Sequence, residues 1–170
     1  MVIYDVGAGL QKTLPGARYK GVFTDNTEAE YNAIQWLDVR SKPAFSTVHA
    51  AALTVMRNRW RDKINGKTDD LIVNTFENSG VTFKLSREFQ FDMLALDYKS
   101  ALVTFPYTVK VNDDADGGGV YIELASAEVL SNLISLVFVH VQTQLAGGRY
   151  YKDSLKNMLR TELEEFVDPR

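Results

Sequence analysis

The chain has 170 residues, of which 45% are hydrophobic and 24% charged, with a formal net charge of −3 and no cysteine. That length can bury a core in one domain without a disulfide or a metal. The charge gives no electrostatic reason for nucleic-acid or acidic-membrane binding, and the missing cysteines exclude disulfides, thiolate nucleophiles and cysteine zinc sites.

Residues 1–25 alternate short apolar pieces with Gly7, Gly9, Pro15, Gly16 and Gly21. This spacing predicts extended backbone with strands near 2–6 and 19–24, and an N-terminal docking arm over 1–25 ahead of a domain at 26–170. Residues 1–10 carry no basic side chain, which argues against a signal peptide. Thr27 and Glu30 have capping-box spacing, and Tyr31, Ile34 and Leu37 follow at helical intervals, so a helix is expected over 28–39. A second helix starts near Ser46 or Thr47, with Val48, Ala52, Val55, Met56, Trp60 and Ile64 on one stripe and Gly66 as its end.

Residues 70–91 look β-like: Leu71-Ile72-Val73, a turn at 77–80, Val81-Thr82-Phe83 and Phe89-Gln90-Phe91. A short helix over 92–102, with Met93, Leu96 and Ala101 inward, follows. The segments 107–111 and 120–124 alternate cleanly around a glycine-rich acidic turn and read as a hairpin. From about 126 to 145 the chain is an apolar helix whose stripe exceeds one face, so burial almost all round is expected, partly by oligomerisation. Gly147-Gly148 ends or kinks it, and a final amphipathic helix carries Tyr151, Leu155, Met158, Leu159, Leu163 and Phe166. The fold class expected is α+β: antiparallel hairpins packed on a long apolar helix, with an extended N-terminal arm. Leu133, Val137, Val141 and Tyr151 are the expected interaction residues. The longest apolar patch, 133–141, falls far short of the about 20 residues of a membrane span, so a soluble protein is expected.

Several motifs bear on chemistry. Asn112, Asp114, Asp116 and Glu123 fall at positions one, three, five and twelve of a calcium-loop count, with Gly117 at the bend. The strand-like flanks, and Gly119 where such loops place an aliphatic residue, favour a solvated hairpin tip. Gly7-Ala8-Gly9 lacks the third glycine of a dinucleotide fingerprint, and Pro15-Gly16 interrupts the helix that would follow. His49 and His140 have no sequence-adjacent nucleophile or carboxylate and read as core histidines. Arg57, Arg59, Arg61 and Lys63 spread around a helix whose Trp60 faces inward, which reads as a solvated face rather than a nucleic-acid patch. No catalytic constellation emerges.

One ordered succession goes further. A helix bearing Arg59-Trp60-Arg61-Asp62 precedes Val81-Thr82-Phe83 and Phe89-Gln90-Phe91-Asp92. A hairpin then leads into Leu124-Ala125-Ser126-Ala127-Glu128-Val129-Leu130, Phe138-Val139-His140-Val141 and Arg149-Tyr150-Tyr151-Lys152-Asp153-Ser154-Leu155. Over roughly 28–158 this resembles a domain common in bacteriophage tail-fibre and tail-fibre-assembly proteins. Its members run helix, hairpin, short helix, second hairpin, long helix. Tyr31-Asn32-Ala33-Ile34-Gln35-Trp36 and Lys42-Pro43 are similar to the linker that precedes it. Ala125 stands where many members cap the long helix with threonine, and 69–80 is longer than usual.

The resemblance implies a non-enzymatic phage tail protein. It would be a structural part of the fibre or baseplate region, or a fibre assembly factor, located in the virion tail or in the host cytoplasm during assembly. Its partners would be other tail proteins and further copies of itself, with no cofactor, nucleic acid or membrane. The alternative from another class is a calcium- or ligand-regulated binding module using the 112–123 loop.

Overall fold

A computed structural model describes residues 2–170. The fold is α+β, with three two-stranded antiparallel hairpins and two long helices. Its contacts divide into two compact units: residues 1–64 with 150–170, and residues 65–149. The second unit is therefore inserted in the sequence of the first, a division that the expected boundary at 25/26 does not follow.

The N-terminal segment of the first unit is not an extended arm. Asp5 caps helix α1 (Val6–Thr13) by accepting from the Ala8 amide at 2.9 Å. Val2, Tyr4, Val6 and Leu10 are all buried in this unit's core. Gly9 explains one of the glycines that suggested a loop. A Cβ there would lie 2.5 Å from the Val48 carbonyl oxygen and 2.7 Å from the Ala52 Cβ, so glycine lets α1 lie directly on the next long helix.

The hairpin β1 (Tyr19–Lys20) and β2 (Gln35–Trp36) pairs Tyr19 with Trp36. Between them lies α2 (Glu28–Ala33), whose capping box forms as its spacing predicts: Thr27 Oγ1 accepts from the Glu30 amide and Glu30 from the Thr27 amide. The helix is shorter than the expected 28–39, because pairing of Gln35 and Trp36 with β1 takes the backbone out of the helix.

Helix α3 (Phe45–Asn74) overruns its expected end at Gly66. The buried row Val48, Ala52, Met56, Trp60 and Ile64 advances by four residues and continues through Thr68 and Ile72. That row holds the helix together across a glycine that costs about 1 kcal/mol relative to alanine. The expected 71–73 strand is thus its last turn. In the first unit, Arg57 donates to the Leu155 carbonyl at 3.0 Å and the Met158 carbonyl at 2.9 Å, and Trp60 Nε1 donates to the Leu163 carbonyl at 2.8 Å. Arg160 donates to the Asn26 carbonyl at 3.2 Å, and its guanidinium lies 4.1 Å from the centre of the Tyr4 ring.

In the second unit β3 (Phe76–Asn78) and β4 (Val81–Phe83) close through Ser79 and Gly80, both at positive φ, as a two-residue hairpin turn requires. Helix α4 (Arg87–Tyr98) begins earlier than expected. Ser86 caps it by accepting from the Phe89 amide at 3.1 Å, which places the expected 89–91 strand in its first turns. The second hairpin, β5 (Tyr107–Asp113) and β6 (Gly119–Leu124), falls where its alternation predicts. Its register shifts around Val111, whose side chain is buried and whose carbonyl accepts from the Lys84 amide at 2.8 Å. Ser126, one residue past Ala125, caps α5 (Ala127–Ser154) by accepting from the Val129 amide at 3.3 Å.

Gly147 and Gly148 do not end that helix. A separate short α6 (Arg160–Glu165) follows in the first unit.

Two glycines should respond oppositely to alanine. Gly66→Ala meets open space on a helix and should stabilise by roughly 0.5–1 kcal/mol. Gly9→Ala must displace backbone and should destabilise by about 1–3 kcal/mol. Urea unfolding decides both. Trp36 and Trp60 both lie in the first unit, so tryptophan fluorescence reads Gly9→Ala, and circular dichroism reads Gly66→Ala.

Deleting residues 1–13 gives a further check on the N-terminus. It should abolish the cooperative fluorescence transition, whereas an accessory arm could be removed without effect.

Candidate functional site

The acidic turn does not assemble its four candidate ligands. Asp114 Oδ1 accepts from the amides of Asp116 at 3.0 Å and Gly118 at 2.6 Å, closing the turn on itself. Asn112 spends its side chain on the Thr82 carbonyl at 3.1 Å and the Asp113 amide at 2.9 Å. Glu123 stands within β6 opposite Thr108. Lys110 pairs with Asp113 at 2.6 Å and holds that carboxyl below its usual range. Among the described residues no group of three His, Asp or Glu side chains is placed to hold a metal.

Both histidines are built into packing. The Tyr4 hydroxyl hydrogen-bonds His49 Nδ1 at 2.6 Å, and burial pushes that phenol above its ordinary pKa, so it stays neutral. In the second unit His140 Nε2 lies 3.1 Å from the Leu71 carbonyl oxygen, with its ring 5.3 Å from that of Phe76.

The surface that stands out is apolar. Phe83, Leu85, Met93, Val111, Leu124, Leu130 and Leu133 form the core of the second unit with Phe76, and Ile134 and Val137 pack against it. Within one chain helix α5 buries Leu130 and Leu133 in this core, and the remaining burial expected of it would have to come from other copies. Its excess apolar residues, Val129, Leu136, Phe138 and Val139, are exposed. Where α4 meets α5, Met93, Leu94, Ile134, Val137, Phe138 and Val141 line a groove of about 120 Å³.

The expected interaction residues therefore separate. Leu133 is core, at 4% exposure. Val137 and Val141 line the groove, whose floor Leu133 also reaches. Tyr151 belongs to the first unit, where it packs on the core and against Phe166. Sequence reading missed Phe91, Leu94 and Tyr98, which are exposed on α4. Their spacing of three and four residues was the available signal.

Compared with family models, curated proteins and solved structures, the chain matches none.

By length and composition α5 is also apolar enough to cross a membrane, which the 133–141 patch alone did not suggest. Only 11% of its most apolar stretch is buried inside the protein, with Leu130 and Leu133 turned into the core.

The closed turn gives a prediction. Melting temperatures in millimolar calcium and in chelator should agree, because the loop amides hold Asp114 Oδ1, Asn112 is bonded to Thr82, and Glu123 is fixed in β6. A calcium-dependent rise of several degrees would mean that the turn reopens to take the ion.

Proposed function

We propose that this chain is a non-enzymatic protein of a bacteriophage tail, working through protein–protein contacts as a component of the fibre or baseplate region or as a fibre assembly factor. The supporting observation is the element order. α3, the β3–β4 hairpin, α4, the β5–β6 hairpin and α5 follow one another in the succession that members of the resembled domain present. The chemistry of the surface agrees with the reading. Val129, Leu136 and Val139, left exposed on α5, suit packing against protein, and the two histidines are engaged in hydrogen bonds and ring contacts. Tail proteins are the partners proposed, with the virion tail or the host cytoplasm during assembly as the place of action.

Co-expression with the tail-fibre protein of the same genome, followed by size-exclusion chromatography, tests this. One co-eluting complex is expected, weakened at least about tenfold by Leu136→Asp, an exposed position on α5. Separate elution, or a genome that encodes no tail protein, would overturn the assignment.

A further inference from the structure

Helix α4 has two apolar rows. Phe89, Met93 and Leu96 face the core of the second unit. Phe91, Leu94 and Tyr98 form the other row, and they are 72%, 57% and 90% exposed. Spacings of three and four residues place these three on one stripe of the helix. Leu94 also lines the groove beside Phe138, which is 62% exposed, so the stripe runs onto α5. Leu102, 86% exposed, lies in the turn that follows α4.

We infer that a second copy of this chain covers that face, the two α4 helices crossing antiparallel about a two-fold axis near Leu94. Area is the first argument. At the surface of a full side chain, Phe91, Tyr98 and Phe138 expose roughly 450 Å² among them, and Leu94 brings the face to roughly 550 Å². Two copies together would bury roughly 1,100 Å², which clears the about 1,000 Å² that a specific interface requires.

Self-complementarity is the second argument. A two-fold contact must match a surface to itself. Leu94 sits midway along the stripe, so an antiparallel crossing there sets Phe91 of each copy against Tyr98 of the other. Arg87 falls on the same stripe four residues before Phe91, and an antiparallel crossing at Leu94 carries it toward the Ala101 end of the other copy, away from the other Arg87. Glu88 and Asp92 line a different surface, beside Lys84 and Lys110. Between Val129 and Gly148 helix α5 carries no Asp, Glu, Lys or Arg.

This inference stands apart from the tail assignment: a chain that dimerises but binds no tail protein would keep the one and lose the other. Sedimentation velocity on the full chain is the first test. A dimer is expected at about 10 μM, with Leu94→Asp and Tyr98→Lys each raising the dissociation constant at least about thirtyfold while circular dichroism is unchanged. Tyr98 is exposed enough that its replacement leaves folding intact.

Cross-linking is the second test. The chain has no cysteine, so Leu94→Cys can form a disulfide only with another copy. Oxidation should give covalent dimer much faster than for Val39→Cys, a fully exposed position in the first unit. A wild-type monomer at about 100 μM would overturn the inference, as would variants that leave the association unchanged. So would a monomer that floats with phosphatidylglycerol vesicles, since lipid would then be the cover.

Discussion

Three donors on one helix determine whether the first unit can exist. The Arg57 guanidinium and the Trp60 indole reach carbonyls at 155 and 158, just past the end of α5, and at 163, in the last turn of α6. Carbonyls at a helix end have no partner within the helix and must find one elsewhere. Here the partners lie about a hundred residues away in sequence, and Arg160 makes the reciprocal link back to Asn26 and Tyr4. The inserted unit must be synthesised before these bonds can form. Loop-closure entropy for such a separation grows only slowly with length, so the insertion costs the first unit folding time more than stability.

In the second unit the governing constraint is the width of the apolar surface on α5. A helix packed on one hairpin-and-helix layer can bury one stripe. Leu130 and Leu133 take the centre of that stripe, and Val137 its margin. Phe138 and Leu136 fall to either side and remain at the surface. The same geometry that completes the core thus leaves an apolar border, and α4 extends it with Phe91, Leu94 and Tyr98.

Much of this was legible where local pattern and local structure coincide. The capping box at Thr27 and Glu30, the β5–β6 hairpin and the existence of α5 depend on neighbours a few residues away, and each forms where its pattern points. The misreadings share another cause. Leu71-Ile72-Val73 and Phe89-Gln90-Phe91 have strand-like composition but are held helical by rows that begin a turn or more earlier, at Val48 and at the Ser86 cap. The glycines of 1–16 resemble a loop because the partner that makes Gly9 necessary, the Val48–Ala52 turn, is distant in sequence. Of the four expected interaction residues, Leu133 lies in the core because it sits near the middle of the apolar stripe, while Val137 and Val141 line the groove.

The uncharged stretch of α5 has a kinetic side. With no formal charge between Val129 and Gly148, a partner approaching this helix feels little long-range field from it. Encounter there is unsteered, with rate constants of roughly 10⁵–10⁶ M⁻¹s⁻¹ and little response to salt. Selectivity must then arise after collision, from how well two shapes exclude water, and it will be expressed in how long a complex lasts rather than in how quickly it forms.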